Sequence, residues 1–201
     1  MSKPFAEAAD RNSRPIADVL RFEFADCDSI LEIGSGTGQH AVYLGRELPH
    51  LVWQTSDVNE NLAGIRAWIA QAGLRNVLEP LEVDVRLVTR PDGEFDGIFS
   101  SNTAHIMHVE AVRCMFELAG SVLPENGVFA LYGPVRRRGG YNTESNAVFD
   151  ESLRRRDPGM GLRDLEWLDE LAATHGLHRT RLYAMPANNH VAVWVKAGDT
   201  Q

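Results

Sequence analysis

The chain has 201 residues, of which 44% are hydrophobic and 24% are charged, and its net charge is −8 at pH 7. This length can bury one sizeable core, so we expect a single domain over residues 1–201. The negative charge argues against a binder of nucleic acid or anionic membranes, and no apolar stretch approaches the ~20 residues of a membrane span.

Apolar runs and helical patterns alternate along most of the chain. Pro4–Glu23 is predicted to be helical in two pieces, with Ser13 capping the second piece and Pro15 in its first turn; residues 1–24 would form an N-terminal helical cap. Strands are then predicted at Ser29–Ile33, Leu51–Ser56, Val77–Val83, Phe95–Ser101 and Val128–Tyr132, and helices at Gln39–Leu48, Asn59–Ala72 and Val109–Leu123. Strands that alternate with helices indicate an α/β fold with a mostly parallel sheet.

The end of the chain breaks this alternation. A last helix is predicted over Leu165–His175, and the two strands after it, Arg179–Met185 and His190–Val195, are separated by only four residues. A parallel pair needs a crossover of a dozen or more residues, so these two strands must be antiparallel. The sequence therefore predicts seven strands that end in an antiparallel hairpin.

A glycine-rich stretch, Glu32-Ile33-Gly34-Ser35-Gly36-Thr37-Gly38, follows the first strand and precedes a helix. Glycine allows a tight turn there and lets the backbone approach a ligand closely. The pattern E-x-G-x-G-x-G resembles the cofactor loop of class I methyltransferases that use S-adenosylmethionine. It differs from the dinucleotide pattern G-x-G-x-x-G, because Gln39 stands where that pattern has its third glycine.

Acidic residues lie at or just after the ends of the first three strands. Asp57, beside Val58, is placed to accept hydrogen bonds from ribose hydroxyls or to cap the next helix, and this position does not separate S-adenosylmethionine from NAD. In the methyltransferases that the chain resembles, the position of Asp84 and Val85 holds adenine; the alternative is a solvated turn. The resemblance also implies that Glu32 orients the glycine loop and contacts the methionine end of the cofactor, unless it is a plain strand-end acid.

The stretch after the fourth strand, Ser100–His105, lies where class I methyltransferases place groups near the reactive methyl. We assign Ser100 to the cofactor and Asn102 and His105 to catalysis, with His105 as a base that titrates near neutral pH or as a hydrogen-bonded loop histidine. The absence of a Pro-Pro-aromatic box argues against a DNA-base or glutamine methylase. His105 and His108 lack further converging ligands, so we predict no metal site.

Residues 134–163 leave the carboxyl end of a central strand, which is where ligands bind in open α/β sheets. We interpret this segment, with a short helix near Glu144–Arg155, as a cover on the substrate side; the alternative is a surface insertion without a role. Two arginine triplets flank it, Arg136–Arg138 and Arg154–Arg156. Such runs are usually solvated, but they could also hold an anionic substrate.

Beyond the fold, nearly the whole chain resembles a small methyltransferase-like family known as domain of unknown function 938 or methyltransferase-like 26. The resemblance rests on Ala9–Ile16, Leu31–His40, Ser56-Asp57, Ser101–Ile106 and Leu131–Pro134. It implies a class I, Rossmann-like methyltransferase fold: a seven-stranded, mostly parallel sheet with an antiparallel C-terminal hairpin and helices on both faces. It also places Asn12 over the pocket, as a contact of the cofactor carboxylate or of the substrate, or alternatively as a helix cap.

The expected cofactor is therefore S-adenosylmethionine, and the expected activity is methyl transfer to a small molecule. The predicted cofactor-binding residues are Asn12, Glu32, Gly34, Ser35, Gly36, Gly38, Asp57, Val58, Asp84, Val85 and Ser100. Two other functions stay open: a sensor or partner subunit that binds the cofactor without catalysis, and an NAD-linked oxidoreductase, which would want a Tyr-x-x-x-Lys pair that this chain lacks.

The sequence also predicts the cellular location and the partners of the protein. Two cysteines, Cys27 and Cys114, form neither a disulfide framework nor a metal quartet, so we interpret them as reduced thiols of a cytoplasmic protein. The N-terminus has neither the basic start nor the apolar centre of a signal peptide. The expected partner is a small-molecule substrate, with no nucleic acid and no membrane, and a homodimer is compatible with the sequence.

Overall fold

The structure is a computed structural model that describes residues 3–87 and 91–198; residues 1–2, 88–90 and 199–201 of the predicted domain lie outside the described part. The strands are β1 (Ser29–Ile33), β2 (Val52–Asp57), β3 (Val77–Glu82), β4 (Gly97–Ser101), β5 (Val128–Gly133), β6 (Val135–Arg136), β7 (Arg163–Asp164), β8 (Leu177–Met185) and β9 (Asn189–Lys196). The helices are α1 (Glu7–Glu23), α2 (Gln39–Glu47), α3 (Asn59–Ala72), α4 (Val109–Val122), α5 (Glu144–Arg156) and α6 (Leu165–Thr174).

Seven of the strands form one sheet in the order β3-β2-β1-β4-β5-β9-β8. Strands β1 to β5 pair in parallel, whereas β9 is antiparallel to both β5 and β8. The predicted seven-stranded, mostly parallel sheet with an antiparallel C-terminal hairpin is therefore confirmed. The short strands β6 and β7 pair separately.

Helices cover both faces of the sheet, as predicted. On one face, α1, α2 and α3 bury Ile16, Leu44 and Ile65, which are 0% exposed. On the other face, α4 and α6 bury Phe116 and Leu168 to the same extent. Strands covered on both faces read as continuous apolar runs, which explains why β1 is recognisable from the sequence alone.

The prediction of two helical pieces before β1 is wrong, because α1 is one helix with Pro15 inside it. Ser13 does not cap a second piece; its hydroxyl donates to the carbonyl of Ala9 at 2.6 Å. An interior proline costs about 3 kcal/mol through the lost N–H and the ring clash. The buried face of α1 includes Ser13, Ile16 and Leu20. Packing of this face against the rest of the protein stabilises the helix across the proline.

The site is positioned by the carboxyl ends of β1, β2, β4 and β5, which meet at one edge of the sheet because these strands are parallel. Ligands in open α/β sheets bind at this edge, where the strand order reverses. Here the order reverses between β1 and β4. The segment that carries α5 and the β6–β7 pair follows β5 and packs over the same edge.

Candidate functional site

The glycine loop between β1 and α2 has three residues with positive φ: Gly34 at 74°, Gly36 at 58° and Gly38 at 89°. A Cβ at Gly34 would lie 2.6 Å from Cγ2 of Thr103, and a Cβ at Gly38 would lie 3.0 Å from Cα of Ile65. A Cβ at Gly36 would meet nothing within 4 Å. The loop is therefore packed at both ends and open in its middle, where a ligand could approach its backbone.

Glu32 lies beneath this loop and is 1% exposed. Its Oε2 accepts a hydrogen bond from the hydroxyl of Ser35 at 2.7 Å and another from the indole Nε1 of Trp53 at 3.1 Å. Burial raises the pKa of Glu32 to about 7, against the lowering effect of these two hydrogen bonds. These contacts fit the predicted orienting role, while a contact with a cofactor stays a prediction.

Asp57 joins the end of β2 to the glycine loop. Its Oδ2 accepts from the backbone N–H of Gly36 at 2.7 Å, and its Oδ1 accepts from the N–H of Val58 at 2.7 Å and from Nδ2 of Asn61 at 2.9 Å. Among the described residues, Asp57 receives no backbone N–H from within α3, so it is not a helix cap of the ordinary kind. Three of about four acceptor positions of the carboxylate are used, which leaves room for one ligand hydroxyl.

A cavity of about 270 Å³ lies between the ends of β2 and β3 and the loop after β4; we call it the strand-end cavity. Val58, Val83 and Val85 are among its apolar walls, and Asp84 supplies an acid. The guanidinium of Arg86 donates to both carboxylate oxygens of Asp84, at 2.9 and 2.6 Å, and this hydrogen bonding holds the pKa of Asp84 below its usual value. The carboxylate is therefore an anion at the mouth of an apolar slot.

A second cavity, of about 580 Å³, adjoins the first and is lined by the glycine loop; we call it the loop cavity. It contains Asn102, His105 and Phe149, which come from the loop after β4 and from α5. The residues that line both cavities are Gly34, Asp57, Val58, Ile106 and Met107. The structure therefore brings the glycine loop, Asp57 and the two predicted catalytic residues to one continuous space.

Asn102 directly follows β4 and has an unusual backbone conformation, with φ at 58°. Its N–H donates to the carbonyl of Tyr132 on β5 at 2.9 Å, which holds the turn in place. Non-glycine residues in this region cost about 1–3 kcal/mol and occur preferentially at functional sites. The strained turn directs the chain from β4 into the loop cavity.

His105 is 7% exposed, and its ring makes no hydrogen bond with any residue in the described part of the chain. The ring packs edge-on against Phe149, with 5.5 Å between ring centroids. Burial, and then the positive charges of Arg163 and Arg156, lower the pKa of His105 to about 4. The expectation that it titrates near neutral pH is wrong: buried beneath α5, the imidazole is neutral at pH 7 and can accept a proton.

His40, in the first turn of α2, also lines the loop cavity and is a site residue that was not predicted from the sequence. Its Nε2 lies 2.6 Å from Oδ1 of Asn12, which can only accept, so Nε2 carries the proton. Its Nδ1 then accepts from the hydroxyl of Ser101 at 3.0 Å. Asn12 therefore reaches the cavity wall through His40, and its position inside α1 rules out the capping role.

Two other predicted cofactor residues lie behind the cavity wall. Ser100 is 0% exposed; its hydroxyl donates to the carbonyl of Ile33 at 2.7 Å and lies 2.6 Å from the hydroxyl of Thr103. Gly38 directly precedes α2 and packs against α3. Both residues are placed to hold the loop and strand ends in position rather than to face a ligand.

The 134–163 segment is tied to the loop that carries His105. The backbone N–H of Gly161 donates to the carbonyl of His105 at 2.9 Å, and Nε of Arg163 donates to the carbonyl of Ala104 at 3.0 Å. Phe149, from α5 of the same segment, forms part of the cavity wall. These contacts fit the interpretation as a cover, and its role toward a substrate stays a prediction.

Acid should destabilise the fold through the two buried histidines. Burial lowers the pKa of His40 from 6.5 to about 4, so its contribution to stability is present above pH 6.5 and is lost as the pH falls toward 4. The lowered pKa of His105 likewise makes the fold less stable as the pH falls. The raised pKa of Glu32 has the opposite effect, because it makes the fold less stable as the pH rises from 4.5 to 7. We expect His40→Gln to flatten the rise of unfolding free energy between pH 4.5 and 6.5 by up to about 1.4 kcal/mol per pH unit.

Urea unfolding at several pH values measures this slope. His178→Gln, at an exposed position of β8, is the matched control and should keep the wild-type slope. A wild-type slope in His40→Gln would show that His40 does not titrate as its burial requires.

No three His, Cys, Asp or Glu side chains converge as metal ligands within residues 3–87 and 91–198. Within the same ranges, every helix is too short or too polar to cross a membrane.

A family model described as "Protein of unknown function (DUF938)" matches residues 3–196 of the chain. This match confirms the resemblance that rests on the glycine loop, the Asn12 region and the Ser101–Ile106 stretch.

Solved structures with the same fold include proteins described as methyltransferases. An O-methyltransferase family protein from Burkholderia thailandensis has a TM-score of 0.81 and 18% identity, over 96% of this chain and 59% of its own. Human N-acetylserotonin methyltransferase in complex with SAM has a TM-score of 0.80 and 13% identity, over 96% of this chain and 53% of its own. PigF with SAH has a TM-score of 0.77 and 17% identity, over 93% and 56%.

At these identities the likeness shows the fold, which is that of the class I methyltransferases. The chain spans a little over half the length of these proteins.

Proposed function

Because the chain belongs to the DUF938 family and has a class I methyltransferase fold, we propose that it is an S-adenosylmethionine-dependent methyltransferase that acts on a small molecule. The observation that carries this proposal is the continuous space formed by the loop and strand-end cavities. Its glycine loop, its apolar slot and its pair Asn102 and His105 would serve the methionine end, the adenosine and the methyl acceptor respectively.

The residues present fit the cofactor. The open middle of the glycine loop, at Gly36, leaves space for a ligand to lie against the loop backbone. Asp57 lies where the two cavities meet and has an acceptor position left for a ribose hydroxyl. Val58, Val83 and Val85 would hold the faces of an adenine ring in the strand-end cavity, with Asp84 at its edge. Arg86 is well exposed, so its ion pair with Asp84 can yield to an exocyclic amine.

The proposed mechanism needs little from the protein besides alignment and proton removal. When bound, S-adenosylmethionine supplies a methyl group that its positive sulfur already activates. The cavity walls position the acceptor's nucleophilic atom in line with the C–S bond. As the new bond forms, the acceptor's own proton becomes strongly acidic, so a weak base suffices; neutral His105 accepts this proton and Asn102 orients the acceptor.

The substrate is proposed to enter beside Asn102 and His105, beneath the 134–163 segment. Apolar and aromatic side chains, among them Phe149, Ile106 and Met107, line this part of the loop cavity. We also propose a cytoplasmic location, supported by two free cysteines, Cys27 and Cys114, and assembly as a homodimer.

A methyl-transfer screen tests the function. The purified protein is incubated with S-adenosylmethionine that carries a labelled methyl group and with fractionated metabolite pools. We expect label to appear in at least one small molecule, and His105→Ala is the comparison that separates enzymatic from spontaneous methylation. Binding of the cofactor without transfer to any pool would favour the sensor or partner subunit, which is the second candidate.

A further inference from the structure

A third cavity, of about 230 Å³, shares no lining residue with the two cavities assigned to the proposed function. Three arginines line it: Arg136 on β6, Arg154 on α5 and Arg163 on β7. We call it the arginine cavity. Asp164 is the one acid that lines it, so the lining has a surplus of positive charge.

Arg163 is a fixed part of the cavity wall. The residue is 7% exposed, and hydrogen bonds hold its guanidinium on one side only. Its Nε donates to the carbonyl of Ala104 at 3.0 Å, and its Nη2 donates to the carbonyls of Met107 and Gly159. Its Nη1 makes no hydrogen bond with any residue of the described ranges. A buried guanidinium is therefore held in one orientation with a free donor group left over.

The neighbouring arginines add charge that the surrounding acids only partly offset. The Nε of Arg136 is buried and has no hydrogen-bond partner among the described residues. Arg154 pairs with Asp150 at 2.8 Å, and that carboxylate also accepts from Tyr141 and from the N–H of Leu162. After burial itself, the positive charges of Arg154 and then Arg136 contribute to lowering the pKa of Arg163.

The acid in the lining, Asp164, already accepts hydrogen bonds from two backbone N–H groups. Asp164 accepts from the N–H of Gly139 at 2.6 Å and from the N–H of Glu166 at the start of α6 at 3.3 Å. On the other wall, Val109 begins α4, whose first turn receives no side-chain cap from the described residues. The partial positive charge of that helix end adds to the charge of the arginines.

From this arrangement we propose that the arginine cavity binds an oxyanion of the phosphate class through Arg136, Arg154 and Arg163. Guanidinium groups match the geometry of phosphate oxygens, and three of them around a small cavity can contact several oxygens at once. The apolar wall formed by Leu162 and the ring of Trp167 would accommodate the organic part of a phosphorylated ligand. This site is separate from the proposed methyl-transfer site and does not depend on that function.

Isothermal titration of the whole chain with inorganic phosphate, at constant ionic strength set with chloride, tests the site. We expect saturable binding that Arg136→Gln weakens by about tenfold or more, which is the scale of one lost charge-assisted contact. Arg137→Gln is the matched control, since it removes the same charge from the neighbouring, exposed residue. It should leave phosphate affinity unchanged.

A parallel titration with phenyl phosphate distinguishes the source of the phosphate group. Tighter binding of phenyl phosphate, with the same response to Arg136→Gln, indicates a phosphorylated organic ligand that contacts Trp167. Equal binding of both probes indicates free phosphate. Absence of saturable binding for both probes, or equal weakening by Arg136→Gln and Arg137→Gln, would overturn the proposal.

Discussion

His105→Ala is expected to lower turnover by about 10²- to 10⁴-fold, the usual contribution of a positioned general base. The affinity for S-adenosylhomocysteine, the demethylated product of the cofactor, should change little, because a base acts on the acceptor's proton in the transition state. Steady-state kinetics with an acceptor from the methyl-transfer screen, combined with calorimetric titration, measures both quantities.

The pH dependence of the reaction rate gives a second test of His105. Since burial lowers the pKa of His105 to about 4, the wild-type rate should stay level as the pH falls through 6.5 and should decline only near 4. His178→Ala, at an exposed histidine of β8, should keep the wild-type rate. If His105→Ala kept the wild-type rate while folded, His105 would be a packing residue and not the base.

Asp57→Ala is expected to weaken the binding of S-adenosylhomocysteine by about 1–3 kcal/mol, the range for leaving buried hydrogen-bond partners unmatched. Two effects combine here: the loss of an acceptor for the ribose, and the release of the Gly36 N–H that Asp57 holds at 2.7 Å. Calorimetric titration of the variant against wild type gives the difference directly.

The matched control for Asp57 is Glu82→Ala. Glu82 is paired with Asp57 in the sheet register and ends the neighbouring strand, but its side chain is exposed. The Glu82→Ala substitution removes the same charge from nearly the same place and should leave the affinity for S-adenosylhomocysteine unchanged. An unchanged dissociation constant in a folded Asp57→Ala protein would mean that Asp57 serves only the local structure of the loop and α3.

Local features of this protein could be predicted from its sequence. The glycine loop and the acids at or near the ends of β1, β2 and β3 are each specified by a few adjacent residues, and parallel strands bring such positions to one edge of a sheet. The hairpin of β8 and β9 followed from the length of its connection alone. These inferences required no knowledge of tertiary contacts.

Contacts between distant segments could not be predicted in the same way. His40 acquires its role from Asn12, 28 residues earlier in the chain, across the packing of α1 on α2. The sequence predicted the 134–163 segment as a cover, but it did not predict that this segment would bury His105 against Phe149 and so lower the pKa of His105. Arg163 joins Arg136 and Arg154 around one cavity, although only the latter two belong to the triplets visible in the sequence.

The same limit explains the error at α1. Local rules place a break at Pro15, because proline removes an N–H and disfavours a helical residue before it. Docking of Ile16 and Leu20 against the sheet outweighs that preference. Tertiary packing thus decided the outcome where the local signal alone was misleading.

Calorimetric titration of the wild-type chain with S-adenosylmethionine, S-adenosylhomocysteine and NAD tests the central proposal most directly. The continuous space beside the glycine loop and Asp57 predicts saturable binding of both sulfur compounds and no comparable binding of NAD. Tight binding of NAD, with none of either sulfur compound, would contradict the proposed function.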